Sequence, residues 1–287
     1  MTDSRPIPVE RLDDPRLAVY RNLKDRELKS RHGRFIAEGE FVVARLLTSR
    51  HAVESVLVSA NKADKLAALA ARRSVPVYAA PQAVLNEVVG FRFHTGVLAC
   101  GVRPASPRLE DVLTTDPATP TLLVVCPDLN NSENLGAMIR IAAAFGAAAL
   151  VVGPACHDPW ARQAVRVSMG TIFALPVVQS VDLPDDLRRL GHEFGVERVA
   201  TVLDTAPDVE QLAAARASVR MAVLFGGEAR GLTPDVLARC DRRVTIPMLL
   251  GTDSLNVAVA AGIVLHHFVH VAPAVVENPP RNAGVSA

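Results

Sequence analysis

The sequence has few cysteines, few aromatic residues and almost no net charge. Cys100, Cys126, Cys156 and Cys240 are the only cysteines in 287 residues, far apart and with no C-x-x-C pair. That spacing excludes a disulfide framework and the common zinc sites, and it fits buried thiols in a reducing cytoplasm. No window reaches the ~18 consecutive apolar residues of a membrane span. The longest uncharged stretch, 254–276, is broken by Asn256, His266, His267, His270 and Pro273. The start of the chain carries Asp3, Arg5, Glu10, Arg11, Asp13, Asp14 and Arg16 with no apolar targeting core, so a cytoplasmic location is expected. Phosphate-binding G-x-x-x-x-G-K-[ST], zinc-binding H-E-x-x-H, the G-x-S-x-G nucleophile elbow and G-x-G-x-x-G after a strand are all missing. With 49% hydrophobic and 21% charged residues, the chain is neither disordered nor collagen-like.

The formal net charge of +1 excludes a uniformly basic nucleic-acid binder, but it hides an asymmetry. Residues 1–108 hold 18 Lys and Arg against 11 Asp and Glu, whereas residues 109–287 hold 13 against 19. A basic front joined to an acidic rear suggests a polyanion-facing module beside something else. Arg16, Arg21, Lys24, Arg26, Lys29, Arg31 and Arg34 concentrate that charge, opposed locally by Asp25 and Glu27 alone. The pattern also fits a solvated amphipathic helix.

Apolar runs alternate with helical periodicity along most of the chain. The front part predicts a helix over 16–31, strands at 35–37, 53–59, 75–79 and 96–102, and helices at 40–49, 62–72 and 82–89. Residues 103–120 contain four prolines and one helical turn at 109–113, and read as a linker. The rear part predicts strands at 121–126, 147–152, 173–179, 196–203, 221–225 and 243–246. Helices are predicted there at 134–145, 158–169, 184–193, 209–215, 233–239 and 254–271. Continuous apolar strands between helices point to a mostly parallel sheet covered on both faces. The expected organisation is α/β throughout: a small α/β domain (1–103), a linker (104–120), a larger α/β domain (121–272) and a tail (273–287). The last helix is apolar nearly all round, so its own domain or a second subunit must cover it.

Three polar segments each follow a predicted strand, where open α/β sheets place ligands. The first, DLNNSENLGAMIR, offers Asn134 as a helix cap, Gly136 for close backbone approach and Arg140 on the helix. The second, FGGEARGL, surrounds Glu228 with Gly226, Gly227 and Gly231. The third, IPMLLGTDSLN, leads into Ser254 and Asn256 at the start of the apolar helix. Each alone reads equally well as a capped or glycine-rich turn; their joint placement is what favours a site. His266 and His270 lie four apart but lack a third ligand, so no metal site is expected. Cys156-His157-Asp158 are adjacent, and adjacent side chains rarely converge on one reaction centre.

In order, N-x-G-x-x-x-R (Asn134, Gly136, Arg140), F-G-x-E-x-x-G-L (Phe225 to Leu232) and I-P-M with S-L-N (Ile246 to Asn256) resemble the three signature motifs of the SpoU/TrmH class. Those are SPOUT-superfamily RNA ribose 2'-O-methyltransferases. R-x-S-x-G at Arg166, Ser168 and Gly170 is similar to a further family stretch. Arg34–Gly39 and Thr95–Leu98 resemble the ends of the L30e/L7Ae-like substrate-binding domain that precedes many members. Two positions depart from the pattern: Leu250 stands where the family usually has glycine, with Gly251 following, and Asp253 precedes S-L-N.

The resemblance implies a parallel sheet whose C-terminal segment forms a deep trefoil knot, a homodimer, and S-adenosylmethionine as cofactor without a metal. By position it implies cofactor contacts from Phe225, Gly226, Gly227, Gly231, Ile246, Pro247, Met248, Ser254 and Leu255. It gives the proton step to Arg140, supported by Asn134, Glu228, Ser254 and Asn256. A guanidinium stays charged, so a fixed cation beside the developing alkoxide is an equally good account of that arginine. RNA contacts are expected from Arg21, Lys24, Arg26, Lys29, Arg31 and Arg34. Members with this front domain act mostly on large-subunit ribosomal RNA, which favours rRNA over tRNA. A non-catalytic RNA-binding factor of the same fold would be expected to lose Arg140, Asn256 or the glycines, and all are present.

Overall fold

The computed structural model describes residues 5–21, 33–90, 93–203, 206–227, 230–250 and 252–275. Two sheets organise them. The front sheet contains β1 (Ile7–Pro8), β2 (Arg34–Glu38), β3 (Val53–Ser59), β4 (Val77–Ala80) and β5 (Val97–Val102), in the order β1-β4-β3-β5-β2. β1, β4 and β3 run parallel, and β5 lies antiparallel to both β3 and β2. Helices α1 (Glu40–Thr48), α2 (Ala63–Ala71) and α3 (Gln82–Val89) cover it. The alternation of strand residues sends Ile36, Leu57, Leu98 and Cys100 to one face and Phe35, Ala37, Val56, Val58 and Ala99 to the other.

After α4 (Leu109–Val112), the rear sheet holds β6 (Thr121–Cys126), β7 (Ala149–Val152), β8 (Val177–Gln179), β9 (Glu197–Thr201), β10 (Glu210–Gln211), β11 (Arg220–Leu224) and β12 (Arg242–Thr245). Their order is β10-β12-β9-β11-β6-β7-β8, with every pairing parallel. Helices α5 (Ser132–Ala144), α6 (Arg162–Val167), α7 (Leu183–His192), α8 (Pro234–Leu237) and α9 (Val257–His266) complete the unit. Val124, Val223 and Leu150 pack with Met138 and Ile139 of α5 and Val264 and Leu265 of α9. Leu123, Ala222 and Val151 pack on the opposite face with Leu187 and Leu190 of α7. Both faces are therefore covered, as the continuous apolar strands require.

The two sheets are not separate cores. One apolar cluster runs from Phe35 and Leu46 through Trp160 and Phe173 to Val264. The proline-rich connection is also anchored. Arg220, 4% exposed, donates from Nη2 to the Thr114 carbonyl at 2.6 Å, from Nη1 to Asp116 at 2.6 Å and Thr119 at 3.0 Å, and from Nε to Phe194 at 3.0 Å. Four backbone acceptors offset the desolvation of this guanidinium.

Several elements differ from the sequence expectation. The front of the predicted 16–31 helix is a 3-10 helix, Pro15–Tyr20, capped by the Asp14 side chain on the Arg16 N–H at 2.9 Å; residues 22–32 lie outside the described residues. Leu17 and Tyr20, three apart, both point inward, which a three-residue turn achieves without further helix. Residues 209–215 form no helix: Glu210 and Gln211 pair with Val244 and Thr245 as an edge strand. Phe173 belongs to a 3-10 turn, Thr171–Phe173, and the strand begins only at Val177. The last α-helix starts at Val257 and continues as one π-helical turn, His267–Val271.

All four cysteines are free and at least half-buried. Burial, reinforced by Glu54, pushes the Cys100 thiol up to about 12, and burial takes Cys240 up to about 11. Burial also raises Cys126 and Cys156. Raised values keep the neutral thiol dominant at pH 8, where only thiolates react quickly. Iodoacetamide at pH 8 is therefore expected to label the folded protein slowly and to label all four cysteines once it is denatured. Mass spectrometry checks this, and rapid labelling of the native chain would contradict it.

Candidate active site

The carboxyl ends of β9, β11 and β12, with the start of α9, surround a cavity of about 660 Å³, within the ~300–1,000 Å³ usual for small-molecule sites. Its wall includes Phe225, Gly226, Gly227, Gly231, Ile246, Met248, Ser254 and Leu255, all expected from the sequence at a cofactor site, together with Asn256. Pro247, expected with them, is exposed and outside the lining. Glu228 lies outside the described residues.

The glycines shape the wall by lacking side chains. A Cβ on Gly226 would stand 2.3 Å from the Gly231 carbonyl carbon and 2.6 Å from the Leu232 nitrogen. A Cβ on Gly227 would stand 2.2 Å from the Asp128 carbonyl oxygen. Gly231 turns with φ +63, and its N–H donates to the Gly227 carbonyl at 2.9 Å. Glycine answers the crowding at 226 and 227 and the left-handed turn at 231. The result is bare backbone facing the cavity, suited to a ligand recognised by N–H and C=O groups.

The first motif meets the third at the cavity edge. Asn131, not Asn134, caps α5: its Oδ1 accepts from the Glu133 and Asn134 N–H groups at 2.8 and 3.3 Å. Asn134 is thereby left to accept, through Oδ1, from Asn256 Nδ2 at 3.0 Å. Asn256 does two things, because its own Oδ1 caps α9 by accepting from the Ala258 N–H at 2.9 Å. Gly136 does allow a close approach, but to α6: an added Cβ would meet the Ala164 carbonyl at 2.6 Å. Arg140 is exposed on α5, outside the cavity lining, with no hydrogen-bond or ion-pair partner among the described residues. Ser254 is exposed at the rim.

Leu250 has φ +56 and a fully exposed side chain. The resemblance expects glycine there, and the left-handed backbone explains why; leucine accepts a cost of about 1–2 kcal/mol. Sequence reasoning missed Thr201, Val202 and Leu203, which line the cavity from the end of β9, and Arg230 and Arg243. β9 neighbours β11 in the sheet, so its carboxyl end belongs to the same crevice. The strand order that reveals this was not in the sequence pattern.

Of the expected RNA contacts, Arg21 donates to the Leu12 carbonyl and to that of Asp14 at 2.7 Å, and Arg34 Nε pairs with Glu54 at 2.7 Å. Both are held by their own domain. Lys24, Arg26, Lys29 and Arg31 lie outside the described residues. The rings of His266 and His270 contact each other and Phe145 in tilted and edge-on arrangements.

Comparison with known proteins gives this geometry a family. Residues 121–266 match the model of the SpoU rRNA Methylase family. An uncharacterized tRNA/rRNA methyltransferase of Mycobacterium tuberculosis is 38% identical over 259 residues, 88% of each chain. The 23S rRNA (guanosine-2'-O-)-methyltransferase RlmB of Acinetobacter baylyi is 33% identical over 214 residues, covering 72% of this chain and 83% of that one. The crystal structure of an RNA 2'-O ribose methyltransferase superposes with a TM-score of 0.75 at 25% identity, covering 91% of this chain and 97% of the other. The AdoMet-bound rRNA methyltransferase of Sinorhizobium meliloti shares the fold, with a TM-score of 0.77 at 24% identity, over 91% of this chain and 96% of that one. The matched segment contains the glycine-walled cavity and both asparagines that join its loops, and the chain belongs to the SpoU rRNA methylase family of RNA methyltransferases.

Proposed function

We propose that this protein transfers a methyl group from S-adenosylmethionine to a ribose 2'-oxygen of RNA, with 23S ribosomal RNA as the substrate. The observation that carries the reading is the Asn134–Asn256 hydrogen bond at 3.0 Å, which ties the arginine-bearing helix α5 to the rim of the bare-backbone cavity. The cavity fits the cofactor by its size and by a wall whose glycines leave no room for a Cβ, which at Gly226 and Gly227 would collide with neighbouring backbone. Gly226, Gly227, Ile246 and Leu255 would hold it largely through backbone groups. When bound, S-adenosylmethionine supplies an electrophilic methyl on a sulfonium. The protein's part is to hold the ribose hydroxyl and to stabilise the charge left as its proton departs. Arg140, exposed, without a partner among the described residues and carried by the helix that Asn134 ties to the rim, is a cation available for that purpose.

The front domain (1–103) is the RNA-binding part in this reading and 121–272 the transfer part. The insertion of β11 between β9 and β6, with β12 outside β9, supports the trefoil-knot topology. A homodimer is proposed through α9, whose Val259 and Ile263 are 52% and 41% exposed one turn apart, an apolar stripe that a second copy would cover. No helix among the described residues is long and apolar enough to cross a membrane, in keeping with the proposed cytoplasmic location. The similarity to the 23S rRNA (guanosine-2'-O-)-methyltransferase favours ribosomal over transfer RNA. Mapping of 2'-O-methylation across rRNA and tRNA in cells with and without the gene is expected to show loss of one 23S position. Loss at a tRNA position would transfer the reading to tRNA, and loss of a base methyl would overturn the ribose assignment.

A further inference from the structure

Two stretches with no part in the cavity meet where the two sheets touch. Glu38, the last residue of β2, is 3% exposed. Its Oε2 accepts from Arg162 Nη1 at 2.5 Å, and its Oε1 lies 3.7 Å from Arg166 Nη1. Both arginines are on α6, and Arg166 opens the R-x-S-x-G stretch. The rest of that stretch also faces the front domain. Ser168 is fully buried; its Oγ donates to the Val165 carbonyl at 2.7 Å and accepts from the Gly170 N–H at 3.2 Å. This holds Met169 (φ +53) and Gly170 (φ +77) in a left-handed turn. The turn presents the Met169 carbonyl to Arg45 Nη1 at 2.6 Å. A few residues on, the Phe173 carbonyl is 3.2 Å from His51 Nε2, and the Phe35 ring lies 4.9 Å from Trp160.

From α6 a chain of contacts leads to the transfer site. Gln163 Nε2 donates to Glu133 Oε1 at 2.8 Å, on the first turn of α5. Glu133 is the neighbour of Asn134, and Gly136 seats α5 directly on the Ala164 carbonyl. A buried carboxylate between two guanidiniums is costly to disrupt from one side, because the partner charges are left uncompensated. The front domain is thus clasped to the helix pair that carries Arg140.

We propose that Glu38 is a positioning residue for methyl transfer. It holds the front domain at one fixed separation from Arg140, so that the enzyme selects RNA in which the target ribose and the element gripped by the front domain lie that far apart. The proposal rests on the reading of the chain as an RNA methyltransferase with an RNA-binding front domain. In this arrangement Glu38 contributes alignment rather than affinity: RNA still binds when the clasp is loosened, but the ribose is presented out of register with the reaction centre.

The test is single-turnover methylation at saturating RNA, with RNA and cofactor affinities measured separately, on wild type, Glu38→Gln and Arg162→Lys. Glu38→Gln keeps the shape and removes the charge. Arg162→Lys, at the less buried end of the pair, keeps the charge and removes the fork. Both are expected to slow transfer by about tenfold with both affinities within twofold of wild type. On an RNA fragment too short to reach the front domain, the ratio of variant to wild-type rate should return to near one wherever wild type methylates the fragment. A saturated rate within twofold of wild type in both variants overturns the proposal. So does a loss of cofactor affinity matching the loss of rate, the signature of a merely structural role. Wild type that methylates no RNA instead overturns the proposed function itself.

Discussion

Arg140→Ala is expected to lower the saturated rate of methyl transfer by about a thousandfold, the scale on which loss of one preorganised charge at a reaction centre acts, while cofactor affinity stays within about twofold. The separation follows from the geometry. Arg140 sits on α5, outside the cavity wall, whereas the groups expected to hold the cofactor come from the loops after β11 and β12. Its guanidinium has no partner among the described residues, so truncation strands no buried charge and the fold should melt normally. Arg140→Lys is expected to recover little of the rate. Lysine keeps the charge but loses the planar fork that can grip a ribose oxygen and a neighbouring acceptor together. Single-turnover methylation beside calorimetric cofactor titration checks both variants. A near wild-type rate for Arg140→Ala would remove this residue from the reaction centre and make a base-directed reaction the better reading.

Gly226→Ala should show the reverse pattern, with cofactor binding weakened by about a hundredfold, equivalent to about 2.7 kcal/mol. The added methyl would be built 2.3 Å from the Gly231 carbonyl carbon and 2.6 Å from the Leu232 nitrogen. Both neighbours are backbone, so no flexible side chain can swing aside. The loop itself must move, and overpacking of this kind costs about 1–3 kcal/mol. The displaced segment is the same one that lines the cavity. Calorimetry measures the affinity, and a thermal melt separates loop distortion from global unfolding. Undiminished affinity in a folded Gly226→Ala protein would show that the cofactor does not lie against this backbone.

How far the sequence could be read differs by element, for physical reasons. The strand at Val53–Ser59 and the helix at Gln82–Val89 fall where their patterns put them, because the strand holds the apolar run Val56–Val58 and the helix the spaced apolar set Leu85, Val88 and Val89. Glu210–Gln211 did not, because two residues at a sheet edge are fixed by pairing with β12, while the alanines that follow have helical propensity. The cap of α5 was misplaced by three residues: Asn131 and Asn134 are chemically identical, and only backbone geometry tells which one satisfies the helix end. At the site, the loops after β11 and β12 were legible through their glycines and small polar residues. Thr201 to Leu203 were not, since their relevance depends on which strand lies beside which. Arg21 and Arg34 show the limit of counting charges, for composition cannot say that one binds backbone carbonyls and the other Glu54.

The placement of β11 has a consequence for biosynthesis. The front sheet has all its strands once residue 102 has left the ribosome, and can form early. The rear sheet cannot do likewise. Its centre is β11, residues 220–224, which pairs on one side with β6 from residue 121 onward and on the other with β9. Until that strand is translated, β6 and β9 each carry an unpaired edge in the middle of what will become the sheet. Such edges are templates for pairing with other nascent chains. The demand for chaperone protection therefore peaks late, across the stretch between β6 and β11, and falls once the central strand is in place.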